Sequence, residues 1–200
     1  MRCGAFFLVV LFVISCGSVK KAAISDDEVI VAFGDSITYG VGATKNNSYP
    51  SILSKLLGRE VIACGVSGET TKQGLRRLPQ VLKKYSPKIL LLCLGGNDFL
   101  RRHSKESTIA NLEAMIKLAQ QQNIEVVLIG VPRPSVIIST AAFYPQLATK
   151  YSLVYEGNIL QKVLAKKSFK SDLIHPNAEG YALIAQSIAD VLYSSGLIEQ

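Results

Sequence analysis

The chain has 200 residues, 48% of them hydrophobic, which suits one globular domain with its own core and excludes a disordered or fibrous protein. Its net charge of +7 comes from scattered lysines and arginines with no interleaved aromatics. That pattern gives no support to a nucleic-acid-binding stripe; it suits solvated helix faces or attraction to an anionic membrane surface.

In chain order, the first segment stands apart. Arg2 precedes an uncharged apolar run over residues 5–15, with Lys20 and Lys21 after it. The run is too short for a comfortable membrane span and has the layout of a secretory signal peptide over residues 1–15. Val13-Ile14-Ser15-Cys16 also resembles a bacterial lipobox, in which Cys16 would become the lipidated first residue. A plain signal cleaved near Ser18 to Ala23, an uncleaved anchor and a cytosolic chain are the alternatives. Residues 16–28 then read as a short tether and 29–196 as the domain.

Within the domain, Val29 to Phe33, Glu60 to Ala63, Ile89 to Leu94 and Ile124 to Ile129 are short apolar runs ending at Gly or turn residues. Such runs suit strands covered on both faces. Helical spacing separates them. Tyr49 to Leu57 ends at Gly58, a good C-terminal cap. Thr70 to Tyr85 contains Pro79, which is expected to split it in two. Ser107 to Gln122 and Asn177 to Tyr193 complete the set. The alternation predicts an α/β fold: a single-domain three-layer α/β/α sandwich around a central parallel sheet. Sites in such sheets form beyond the carboxyl ends of the strands.

Four polar segments occupy those places or the approach to the last helix: Gly34-Asp35-Ser36, Gly65 to Thr70, Gly95-Gly96-Asn97-Asp98, and Asp172-Leu173-Ile174-His175-Pro176. A serine hydroxyl needs a base to become a nucleophile, and the chain has only two histidines. His103 follows Arg101-Arg102 in a charged loop and reads as a solvated surface residue. His175 lies three residues after Asp172, so one loop can deliver both an imidazole and the carboxylate that orients it. Cys64 and Cys93 read as buried free thiols, with a disulfide between adjacent strands left open. No Cys/His cluster has metal spacing, and neither metal nor cofactor is expected.

The order and wording of these segments resemble the SGNH (GDSL-type) hydrolase superfamily over nearly the whole mature chain. They are nearest its bacterial thioesterase, lysophospholipase and arylesterase branch. The resemblance implies the flavodoxin-like SGNH fold and a serine esterase with Ser36, Asp172 and His175 as its triad. It assigns the oxyanion hole to the Ser36 amide, the Gly68 amide and the Asn97 side chain. Asp35 and Asp98 read as structural, bracing turns. Small-molecule or lipid acyl esters are the implied substrates, in the periplasm or cell envelope, with a lipid anchor as a membrane attachment and no nucleic-acid partner. A carbohydrate O-deacetylase on the same fold and a catalytically silent surface-binding lipoprotein are the alternatives. Residues 131–138 depart from the relatives, and Arg133 there could meet a phosphate or carboxylate or lie in a surface loop.

Overall fold

The computed structural model describes Ser25, residues 28–135 and residues 138–199. Residues 1–15, where a signal peptide is expected, together with Cys16 and Val136-Ile137, lie outside the described residues.

A five-stranded parallel sheet has the order β2-β1-β3-β4-β7, formed by β1 (Ile30–Gly34), β2 (Val61–Gly65), β3 (Ile89–Cys93), β4 (Glu125–Ile129) and β7 (Val154–Glu156). β5 (Pro132–Arg133) and β6 (Ser139–Thr140) form a separate antiparallel ribbon. Every residue of β1 and β3 is buried, as their unbroken apolar runs require of strands covered on both faces. The four expected strands are present with ends shifted by a residue or two. β7 escaped sequence reading because three residues carry no period.

The chain runs from β1 to β2 in one direction and then crosses back past β1 to β3. Right-handed crossovers in opposite directions place helices on opposite faces. One layer contains α2 (Tyr49–Leu57) packed on α8 (Ala178–Ser194); the other contains α3 (Thr71–Tyr85) packed on α5 (Lys105–Gln120). Shorter helices are α1 (Ser36–Tyr39), α4 (Gly96–Leu100), α6 (Phe143–Lys150) and α7 (Ile159–Ala165). The hydrophobic core runs from Ile30 to Ile198, so the described residues supply their own core.

Pro79 does not split α3, contrary to expectation. A proline removes one helical hydrogen bond and crowds the preceding turn. Here Leu78, Val81 and Leu82 are buried on both sides of it, and a Thr70–Gln73 capping box fixes the start. Burial of both halves outweighs the local cost. Cys64 and Cys93 are free thiols. β1 lies between their strands, a separation of roughly 10 Å at ordinary sheet spacing and beyond disulfide reach.

Candidate active site

The strand order reverses at β1 and β3, so their carboxyl ends open the crevice where α/β sheets bind ligands. β1 delivers Ser36 and β3 delivers Asn97. Ser36 is the first residue of α1, where backbone amides have no intrahelical partner. Asp35 caps this short helix by accepting from the Ile37 amide at 3.1 Å. Gly40, at φ +95°, ends it. Thr38 and Tyr49 share a buried hydrogen bond of 3.0 Å between their hydroxyls, and Tyr181 donates to the Val41 carbonyl at 2.7 Å. The turn carrying Ser36 is thereby fixed from α2 and α8.

The loop before α8 brings in the imidazole. His175 Nε2 lies 3.0 Å from Ser36 Oγ, and His175 Nδ1 lies 2.7 Å from Asp172 Oδ2. Asp172 Oδ1 accepts from the amides of Ile174 and His175, both at 2.8 Å, so one carboxylate holds the loop and the ring together. Partial burial raises the Asp172 pKa. Its hydrogen bonds from the His175 ring and from the two amides outweigh that and hold it below the ordinary carboxylate value. With Nδ1–H donated to Asp172, Nε2 is left as the acceptor facing the serine. His103 sits elsewhere. It is exposed, and its Nδ1 lies 3.4 Å from Asp98 Oδ1, so it is tied to a buried acid on α4.

Asn97 reaches across the crevice. Its Nδ2 donates to the Glu69 carbonyl at 3.0 Å and to Asp35 Oδ2 at a longer 3.4 Å. Ser36, Asn97 and His175 line one cleft of about 400 Å³. Gly68 belongs to the adjoining loop and is not part of the cleft wall. Its φ of +77° favours glycine, and its carbonyl accepts from Arg101 at 2.8 Å. The Arg77 guanidinium clamps that loop with two bonds to Glu69 (2.7 and 2.6 Å) and one to the Cys64 carbonyl (3.0 Å). Asp98 braces more than its own turn: it accepts from the Thr71 amide at 2.8 Å and the Thr71 hydroxyl at 2.7 Å, pinning α4 to the start of α3.

Sequence reading gave Glu69 no role of its own within the Gly65 to Thr70 segment, and missed Arg77 and Tyr144, whose buried hydroxyl donates to the Leu94 carbonyl at 2.7 Å. The far wall of the cleft is apolar, with Leu100, Val131, Pro132, Ile138 and Leu164, and Arg133 joins that wall. Among the described residues no group of three or more His, Cys, Asp or Glu could hold a metal ion.

The profile of the GDSL-like Lipase/Acylhydrolase family matches residues 32–183. The chain belongs to this family. Its match spans the strand that delivers Ser36, the Gly68 loop, the Asn97 turn and the His175 loop. The chain is 29% identical over 180 residues to the thioesterase 1/protease 1/lysophospholipase L1 of Escherichia coli, covering 86% of each chain. It is 31% identical to the arylesterase of Vibrio mimicus, covering 86% of this chain and 92% of that one. Among solved structures, the SGNH-hydrolase family esterase AlinE4 shares 30% identity and a TM-score of 0.68, covering 86% of this chain and 98% of its own. The esterase EstA of Pseudoalteromonas, at 23% identity and TM-score 0.76, shares the fold. The protein is thus an SGNH esterase. These similarities do not favour the deacetylase or the silent binder.

Asp35 carries a testable pH signature. Burial pushes its carboxyl up to about 6 from an ordinary 3.8; the Ile37 amide and His175 oppose that shift. The native state therefore holds this proton to a higher pH than the unfolded chain does. Stability contributed by the group is present below pH 4 and lost as pH rises to about 6. Asp35→Asn removes the titration. Between pH 4 and pH 8 its stability relative to wild type is expected to improve by about 2 kcal/mol, read from urea unfolding at each pH. Parallel pH profiles for the two proteins would show that Asp35 titrates as an ordinary carboxylate.

Proposed function

We propose that the protein is an exported serine esterase that cleaves acyl esters and thioesters through an acyl-enzyme, with Ser36, His175 and Asp172 as its triad. The observation that carries this reading is the unbroken Ser36–His175–Asp172 hydrogen-bond chain, at 3.0 and 2.7 Å.

Ser36 Oγ attacks the carbonyl carbon as its proton passes to His175 Nε2, giving a tetrahedral oxyanion and an imidazolium. Asp172 stabilises that imidazolium and keeps its tautomer. His175 then returns the proton to the leaving alcohol or thiol as the ester bond breaks. Water repeats the sequence on the acyl-enzyme and frees the acid and Ser36. The donors to the developing oxyanion are the Ser36 amide and Asn97 Nδ2 on the cleft, with the Gly68 amide, from the adjoining loop, added by the family resemblance. In the resting site Asn97 Nδ2 is held by the Glu69 carbonyl, which keeps the amide in place before substrate arrives. Asn97→Ala is expected to lower kcat by about 10²–10³-fold with a smaller change in KM. An unchanged kcat would remove Asn97 from the oxyanion hole.

The apolar cleft wall suits an acyl chain or an aryl group, which favours lysophospholipid and aryl esters of the kinds named for the relatives. The sequence of residues 1–16 supports export and lipidation at Cys16. Export separates the enzyme from cytosolic acyl-CoA. Labelled palmitate should enter the wild type and not Cys16→Ala; equal labelling would overturn the lipoprotein assignment. For the chemistry, a fluorophosphonate should label Ser36, and p-nitrophenyl esters should be hydrolysed. A folded protein inert to both would refute the triad.

A further inference from the structure

Seven large hydrophobic side chains are exposed among the described residues, and five of them share one edge of the molecule: Tyr39, Val66, Leu100, Leu173 and Ile174. That edge is the carboxyl end of the sheet. Tyr39 lies against Gly65 at the end of β2, and Val66 donates its amide to the Gly34 carbonyl. Leu100 ends α4, and Leu173 and Ile174 sit in the loop that carries His175.

Leu173 is 87% exposed and Tyr39 63% exposed. The loop's own hydrogen bonds do not call for a leucine at 173. Asp172 and His175 bond each other, and both side chains between them, Leu173 and Ile174, are exposed. A polar residue would serve that loop equally well.

Charge on the same edge leans positive. Arg101, Arg102 and Arg133 are exposed and Lys170 is half-buried beside the cleft. The nearby carboxylates of Asp35, Glu69, Asp98 and Glu156 are buried, and Asp172 is engaged by His175. Glu106 and Glu179, each in the first turn of a helix, are the exposed acids there. Exposed apolar side chains and cations together beside an open cleft fit a phosphate-bearing apolar phase. A second copy docked on this face would set arginine against arginine.

We propose that the carboxyl-end edge of the sheet docks on an anionic lipid surface, with Leu173, Ile174 and Tyr39 entering the headgroup layer and Arg101, Arg102, Arg133 and Lys170 facing lipid phosphates. The cleft then opens onto the lipid. No helix among the described residues is long and apolar enough to cross a membrane, so this contact is peripheral. It is separate from any lipid at Cys16 and stands whether or not Ser36 is the nucleophile.

The experiment uses the chain from Ser25 onward, which contains the entire described core and matches in extent the solved AlinE4, of which 98% is covered. Sedimentation is measured with vesicles of phosphatidylcholine alone and of phosphatidylcholine mixed with phosphatidylglycerol. Binding to the mixed vesicles is expected to be about tenfold tighter or more, and to weaken as salt is added. The combined variant Tyr39→Ser, Val66→Ser, Arg102→Gln lies outside the cleft wall. It is expected to bind mixed vesicles about tenfold more weakly while its thermal unfolding and its turnover of soluble p-nitrophenyl acetate stay as in wild type. Leu173→Ser should weaken vesicle binding to a similar extent.

Equal or absent binding to the two vesicle types would overturn the proposal. So would wild-type binding by the combined variant, or a dimer in solution that these substitutions dissolve. Loss of ester turnover in the wild type with vesicle binding intact would refute the triad and leave the docking surface standing.

Discussion

Ser36→Ala is expected to lower kcat/KM for p-nitrophenyl esters by about 10⁴–10⁶-fold, with the fold and substrate affinity retained. The residue left behind has no nucleophile, while the cleft wall and the Asn97 side chain remain. Asp172→Asn tests the other end of the hydrogen-bond chain. Its carbonyl can still accept from the Ile174 and His175 amides, but its NH₂ would face His175 Nδ1, where Asp172 Oδ2 now lies at 2.7 Å. The ring then carries its proton on Nε2 and cannot accept one from Ser36 Oγ. A fall of about 10²–10⁴-fold in kcat follows; the lower end reflects the half-exposed Asp172 side chain, which lets water compete for Nδ1. Steady-state kinetics over chain lengths, beside fluorophosphonate labelling of each variant, checks both. Ser36→Ala retaining more than a few per cent of activity would move the nucleophile elsewhere.

Gly65→Ala is expected to destabilise the protein by about 3–5 kcal/mol. A methyl group at Gly65 would lie 2.2 Å from the Tyr39 nitrogen and 2.6 Å from the Thr38 carbonyl carbon. Both are backbone atoms of α1 and cannot swing aside as a side chain would. Either β2 or α1 must shift, and α1 carries Ser36. Activity should therefore fall along with stability, even at temperatures where the variant stays folded. Gly58→Ala is the control. Gly58 has φ +64° and open space around it, so only the left-handed backbone is penalised, by about 1 kcal/mol. Urea unfolding separates the two. Similar losses at Gly58 and Gly65 would mean that the α1–β2 contact relaxes easily.

Much of the scaffold was legible because its strands are buried on both faces. Ile89 to Cys93 can be nothing but apolar when helices cover both sides, and that run needs no partner to be recognised. α2 was legible to the residue because Tyr49 to Leu57 combines spacing with a glycine stop. Pro79 shows the limit. Propensity is a local quantity, and it predicted a break where burial on both sides of the proline keeps one helix. β7 shows another limit, since its three residues gain strand character only by pairing with β4.

The site divides in the same way. The sequence by itself determined which residue types were available: one histidine three places from an aspartate, a serine after the first strand, and an asparagine after a glycine pair following the third. Each segment alone suits a turn or a helix cap equally well, so it was the resemblance of the whole set to the SGNH hydrolases that assigned them their roles. Tertiary structure alone decided that His175 meets Ser36 across 139 positions, that Arg77 holds Glu69, and that Arg133 enters the cleft wall. It also decided that Leu173 faces solvent beside the cleft. Those facts depend on which chain ends the parallel sheet gathers at β1 and β3, and distance along the sequence carries no trace of that gathering.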